Sequence, residues 1–119
     1  DYGEEARTNR TFRIGSLFVN VTNFTQALPK GGIRRFFVDI ESMWNNNIEE
    51  VYADVNISNS TKSLGFRTPS ANLIGWEKKT LVGFLDTSDL DGEYRTDITL
   101  YYSGEKSFAS SGFKAILFL

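Results

Sequence analysis

The stretch that decides the fold is LDGEYRTDITLYY, residues 90–102. From Tyr94 to Tyr102 every second residue is apolar, aromatic or a threonine, and most of the residues between them are polar. A period of two residues is typical of a β-strand that buries one of its faces. Gly92 precedes the alternation and permits a tight backbone turn. The stretch therefore predicts a turn that leads into a half-buried strand.

Five other stretches carry strand signals. Residues 36–41 and 51–58 show the same alternation, and residues 12–22, 79–86 and 113–119 are rich in β-branched and aromatic side chains. Turn-forming residues separate the strands, and they stand at positions 29–32, 45–47, 58–61, 89–92 and 103–105.

Residues 45–52 admit two interpretations. Glu49 and Glu50 follow asparagines that could cap a short helix. The β-branched alternation that begins at Val51 favours instead a loop that runs directly into a strand.

Short strands separated by turns predict an all-β domain, an immunoglobulin-like antiparallel β-sandwich of about seven strands. The L-x-G-x-Y pattern of residues 90–94 supports this fold. In such sandwiches a tyrosine at this place turns its hydroxyl back to the upstream backbone and pins the corner between the sheets. Antibody-type domains carry a cysteine two residues later, where this chain has Thr96. We therefore expect a core without a disulfide.

The length of 119 residues predicts one domain that spans residues 1–119. We expect residues 1–11 to be flexible, and the domain to be excised from a larger surface protein. The chain has no Cys and no His, which excludes a thiolate zinc site and removes the commonest general base. We expect no cofactor. The formal net charge of −2 argues against nucleic acid or an anionic membrane as a partner.

The sequence does not contain the catalytic motifs of the enzyme classes considered. A Ser–His–Asp triad is impossible without histidine, and Gly31-Gly32 is not followed by the Lys-Ser/Thr of a phosphate-binding loop. Carboxylate pairs such as Asp39 with Glu41 could in principle serve a glycosidase. An exposed strand face is the favoured explanation for them, so we expect no catalytic activity.

Five N-x-[S/T] sequons are the most informative chemical signal. Chance predicts roughly two in a chain of this composition. The excess favours a glycosylated protein on the outside of a cell, although turns rich in Asn, Ser and Thr also generate such triplets. The candidate glycosylation sites are Asn9, Asn20, Asn23, Asn56 and Asn59.

Two further patterns suggest ligands. Trp44, Trp76 and Tyr101 could stack on sugar rings, although packing at the end of the sandwich is the favoured explanation for Trp76. Asp86, Asp89 and Asp91 could form a weak calcium site. An EF-hand alignment on Gly92 fails, since the first and twelfth positions lack carboxylates, and a solvated turn is favoured.

The arrangement of residues 36–40, 51–56, 76–84 and 90–94 resembles immunoglobulin-like modules of prokaryotic, especially archaeal, cell-surface proteins. The CARDB-like domains are the group it resembles most. Such modules pair a V-x-V-x-N strand, matched here by residues 19–21 or 51–56, with the L-x-G-x-Y strand. A second similarity is to the soluble immunoglobulin-like domains of archaeal motility-filament stator proteins, which contact the surface layer.

These resemblances imply a non-catalytic module that serves adhesion, acts as a spacer or contacts the surface layer. Its partner would be a cell-surface or surface-layer protein, bound through a strand edge or a sheet face. The domain itself would not contact the membrane. The alternative is a carbohydrate-binding module attached to an enzyme, with a polysaccharide as the partner.

Overall fold

Residues 17–116, the part of the chain that the computed structural model describes, form β-strands and no α-helix. Accordingly, this part contains no helix that could span a membrane. Its nine strands are β1 Val19–Phe24, β2 Ala27–Pro29, β3 Ile33–Ser42, β4 Ile48–Ser58, β5 Ser63–Arg67, β6 Ala71–Leu73, β7 Lys78–Asp86, β8 Gly92–Tyr102 and β9 Glu105–Ile116.

The strands form two sheets that share one core. The larger sheet has the order β2–β9–β8–β4–β5, with β6 paired to the first residues of β4, and the smaller sheet has the order β1–β3–β7. The pairing of β2 with β9 is parallel, and the other pairings are antiparallel. The prediction of an all-β, immunoglobulin-like sandwich is confirmed.

The alternation in the sequence decides which side chains enter the core. In β3, Phe36, Val38 and Ile40 are buried, whereas Phe37 faces solvent. A large apolar side chain buried in this way contributes roughly 1.5–3 kcal/mol relative to its exposure. β4 and β8 repeat the pattern, with buried side chains at positions 51, 53, 55 and 57 and at positions 94, 96, 98, 100 and 102.

A close contact sets the spacing between the sheets near one edge. The ring of Phe66 in β5 lies on Gly83 in β7, and a Cβ atom on Gly83 would collide with that ring. Phe66 also meets Phe36 edge-on, with 5.4 Å between the ring centroids. Position 83 therefore requires a glycine for space.

The strands differ from the prediction at several places. The sequence analysis misses β2, β5 and β6, which have only three to five residues each, too few for a period to show. The described residues consequently hold nine strands rather than about seven. β1 continues to Phe24, beyond the predicted end at residue 22. The loop interpretation of residues 45–52 is confirmed, since β4 begins at Ile48.

The last strand begins earlier than the sequence predicts. The sequence predicts a strand over residues 113–119, whereas β9 begins at Glu105. Ser107 explains the difference, because it takes a core position and donates its hydroxyl proton to the carbonyl of Val19 at 2.7 Å. A polar residue at a core position breaks the alternation on which the prediction relied. Residues 12–16 and 117–119 lie outside the described part of the chain.

The tyrosine corner forms as predicted. The Tyr94 hydroxyl oxygen accepts a hydrogen bond from the backbone N–H of Asp91 at 2.9 Å. Gly92 lies between them with φ of +90°, a conformation that glycine adopts without steric cost. Two residues later, Thr96 is buried where antibody-type domains have a cysteine. The corner is thus held by a hydrogen bond without a disulfide nearby.

Tyr94→Phe should lower the free energy of unfolding by about 1 kcal/mol, because it leaves the Asp91 N–H without its partner. Urea denaturation followed by circular dichroism measures the change. Tyr52→Phe is the matched control, since it removes a hydroxyl at the sheet surface, and should change stability by less than about 0.5 kcal/mol. Equal effects of the two substitutions would contradict the role assigned to the corner.

Candidate functional site

The outward-facing side chains of β4, β5, β8 and β9 form one continuous surface, which we name the open face. Strand register places these side chains in rows that run across the larger sheet. From one end to the other, the rows are Tyr52, Tyr101 and Lys106; Arg67, Asp54, Thr99 and Phe108; Gly65, Asn56, Asp97 and Ser110; and Ser63, Ser58, Arg95 and Gly112.

Two tyrosines and two cations stack in series across the open face, an arrangement we name the tyrosine ladder. The rings of Tyr52 and Tyr101 are stacked, with centroids 5.1 Å apart and planes inclined by 23°. The guanidinium carbon of Arg67 lies 4.7 Å from the Tyr52 centroid. The ammonium of Lys106 lies 5.5 Å from the Tyr101 centroid. Cations over ring faces are attracted by the negative π-surface.

The ladder covers both faces of each ring. β4 and β9 flank β8 on opposite sides, so Tyr52 and Lys106 approach Tyr101 from opposite sides. In the same way, Arg67 and Tyr101 approach Tyr52 from opposite sides. A sugar ring that stacked on Tyr101, as the sequence analysis suggests, would have to displace Tyr52 or Lys106.

Asp54 holds the outer end of the ladder in place. Its two carboxylate oxygens accept hydrogen bonds from Arg67, from Nε at 2.6 Å and from Nη2 at 3.0 Å. The hydrogen bond to Asp54 raises the pKa of Arg67 above its ordinary value. Because the pair is exposed, its ionic attraction adds little stability. Its effect is to orient the guanidinium over Tyr52.

A hollow of about 490 Å³ lies beside the ladder, between β5 and β8. Its carboxylates are Asp54 and Asp97, and both are paired with arginines. Asp97 accepts a hydrogen bond from Arg95 Nε at 3.0 Å. The hollow therefore offers polar contacts whose charged groups are oriented by one another.

Phe108 is the exposed aromatic residue of the open face. It stands opposite Thr99 with 73% of its surface accessible. Aromatic side chains are enriched in protein interfaces, and Phe108 is the most exposed aromatic side chain of the open face.

The tryptophans lie elsewhere, at one end of the sandwich. Both side chains are half-buried, and Trp44 packs against the core. The backbone N–H of Trp76 donates to the carbonyl of Trp44 at 3.1 Å, so the structure brings the two residues together. Trp76 has φ of +63°, which is rare for a bulky residue. Its neighbour Gly75 cannot be replaced freely, since a Cβ there would collide with the carbonyl of Asn45.

Of the three aspartates of the suspected calcium loop, Asp86 and Asp91 have separate side-chain contacts, and Asp89 accepts a hydrogen bond from the Lys62 ammonium at its backbone carbonyl. Asp86 accepts hydrogen bonds from the hydroxyl and the N–H of Ser88, at 2.6 Å and 2.9 Å, and these bonds lower the pKa of Asp86. Asp91 lies 3.6 Å from the ammonium of Lys30. Among residues 17–116, no three side chains of His, Cys, Asp or Glu gather at one point. The described residues therefore contain no cluster of carboxylates that would support the calcium hypothesis.

Four sequon asparagines fall within the described residues, and all four are exposed. Asn20 and Asn23 lie on the edge strand β1, Asn56 lies on the open face, and Asn59 lies in the turn between β4 and β5. The Asn59 Oδ1 accepts three hydrogen bonds, from the N–H groups of Thr61 and Lys62 and from the Thr61 hydroxyl. Asn9 lies outside the described part.

Sequence reasoning missed Tyr52, Arg67 and Phe108 as members of this surface. The alternation of residues 51–58 already placed Tyr52 on the outward face of its strand, and could have paired it with Tyr101. Arg67 and Phe108 could not be found in that way, because β5 and the first half of β9 were not predicted as strands.

Comparison with known proteins gives a fold and no family. No family model matches the chain, and no curated protein matches it. A CARDB domain from Pyrococcus furiosus in complex with di-metal ions superposes with a TM-score of 0.56 at 16% identity, over 91% of this chain and 99% of that domain. The expected similarity to CARDB domains is thus confirmed at the level of the fold.

A second solved structure shares the fold within a longer chain. The alkylpurine DNA glycosylase AlkC of Pseudomonas fluorescens, bound to DNA with an abasic site analog, superposes with a TM-score of 0.55 at 14% identity. The match covers 82% of this chain and 30% of the glycosylase. The chain thus spans less than a third of that protein.

The tyrosine ladder predicts an energetic coupling between its rings. In a double-mutant cycle of Tyr52→Leu and Tyr101→Leu, the coupling should be about 0.5–1 kcal/mol, as for stacked cross-strand aromatic pairs. Urea unfolding of the four proteins measures it. Additive losses would contradict the stacking of the two rings.

Proposed function

We propose that this chain is a non-catalytic, extracellular immunoglobulin-like module on a prokaryotic cell, which serves adhesion, spacing or surface-layer contact. It binds a neighbouring cell-surface protein through the open face. The observation that carries the proposal is Phe108, exposed at the β9 end of a row on the open face, where the arginines and aspartates of β4, β5 and β8 are already paired with one another. Protein interfaces typically combine such an apolar anchor with a polar rim.

The composition and the charge pairing support a non-catalytic role. The chain has no His and no Cys, and both aspartates of the open face are held by arginines. The hydrogen bonds of these acidic groups orient neighbouring side chains, as Asp54 orients Arg67.

The exposed sequons support an extracellular location. Asn59 is the best placed, since its Oδ1 is engaged with the turn backbone and its Nδ2, the atom that carries an N-linked glycan, points away from those bonds. Asn20 and Asn23 are the next best placed for a glycan, since they lie on an edge strand. Asn56 lies within the sheet beside the hollow, where a glycan would crowd the open face.

A photo-crosslinking amino acid at position 108, displayed on intact cells of the source organism, should form a covalent adduct with a cell-surface protein. The control is the same amino acid at position 88, because Ser88 is exposed in a turn away from the open face. Mass spectrometry identifies the adduct. Equal adducts from both positions, or no adduct from position 108, would overturn the proposal.

The carbohydrate-binding alternative rests on Trp44 and Trp76, which meet at one end of the sandwich. Backbone strain of the kind seen at Trp76 is often retained at ligand sites. The proposed function predicts that polysaccharides leave the tryptophan emission unchanged. A saturable change in emission that Trp76→Ala abolishes would favour the alternative.

A further inference from the structure

One edge of the smaller sheet is the strand β7, which belongs to the sheet opposite the open face. Within residues 17–116, β7 pairs with β3 on one side and with no strand on the other. An unpaired edge presents backbone N–H and C=O groups that can accept another strand. β7 has nine residues, long enough for a regular ladder.

We propose that β7 pairs with β7 of a second copy of this chain, antiparallel and centred on Val82. The two smaller sheets would then join into a single six-stranded sheet across a two-fold axis. Such an isologous interface requires a surface that is complementary to itself. The outward side chains of β7 meet that requirement.

Charge complementarity fixes the register. With Val82 opposite Val82, Lys78 of each copy lies opposite Asp86 of the other, so that two ion pairs flank the axis. The outward positions 78, 80, 82, 84 and 86 alternate with the buried Leu81, Gly83 and Leu85. Centring on position 81 would place Lys78 opposite Phe84, and centring on position 83 would place Asp86 opposite Thr80. Only the register on Val82 pairs the charges.

The same register brings apolar side chains together. Phe84 is 59% exposed, and Phe37, which stands opposite Val82 in β3, is 42% exposed. In the paired sheet, the two Val82 side chains would adjoin at the axis, with Phe37 of each copy beyond them. Phe84 would lie diagonally beside the other copy's Val82. Cross-strand aromatic and β-branched pairs of this kind stabilise antiparallel sheets.

Charges near the edge do not oppose the pairing. The side chain of Lys79 points inward. An inward-pointing lysine on an edge strand commonly discourages pairing with another strand. The Lys79 ammonium is already bonded to the carbonyl of Asn72 at 2.6 Å and lies 3.9 Å from Glu77. Lys78 has Glu41 opposite it in β3, on the side away from the second copy.

Charge reversal tests the register directly. Sedimentation velocity of the full chain should show a monomer–dimer equilibrium at micromolar to submillimolar concentrations. Lys78→Asp and Asp86→Lys should each weaken self-association by roughly tenfold, because each places like charges opposite one another twice. A mixture of the two variants should form heterodimers, since both charge pairs are then complementary. Circular dichroism establishes that each variant is folded.

A second experiment uses the absence of cysteine from the chain. Val82→Cys should form a disulfide-linked dimer on air oxidation, because the two thiols would lie at the axis. Ser110→Cys, on the exposed surface of the larger sheet, is the control and should remain largely monomeric.

Two results would overturn the dimer. A chain that stays monomeric throughout the concentration range has no such interface, and a dimer indifferent to both charge reversals uses another surface. Neither result bears on the crosslink expected from position 108, which tests the open face.

Discussion

The burial of alternating side chains from β3, β4 and β8 is the constraint on which the rest of the structure depends. Phe36, Val38 and Ile40 enter the core from one sheet, and Val51, Val55 and Ile98 enter from the other. Because the side-chain period of a strand is two, this burial forces every intervening residue outward. The core thus determines which residues face outward on the larger sheet, including Tyr52, Tyr101 and Phe108.

The outward residues are organised by contacts among themselves. Asp54 orients Arg67, Arg67 covers Tyr52, and Tyr52 stacks on Tyr101. A surface of side chains held in this way loses little conformational entropy when it binds a partner. This pre-organisation suits a module that makes contacts, and it covers the ring faces of Tyr52 and Tyr101.

Sequence reasoning recovered the parts of the structure in which local pattern and global fold agree. The strands of residues 36–41, 51–58 and 94–102 and the corner at Tyr94 follow directly from alternation and a short motif. β5 is not predicted from the sequence, because a five-residue strand is too short to show a period. The first half of β9 is not predicted either, because Ser107 places a hydroxyl in the core and interrupts the apolar alternation. The tyrosine ladder could not be predicted for the same reason, because it depends on the register of four strands, including β5 and β9.

Hydroxyl-radical footprinting tests the central claim most directly, by comparing Phe108 with Phe84 in the same molecule. Both rings are exposed, on opposite sheets, so Phe84 is an internal control when the chain is used below the micromolar concentrations at which β7 would pair with a second copy. The purified chain is labelled alone and after binding to cell envelopes of its source organism. We predict that envelope binding sharply reduces the labelling of Phe108 and leaves that of Phe84 unchanged. Unchanged labelling of Phe108, or equal protection of both rings, would contradict contact through the open face.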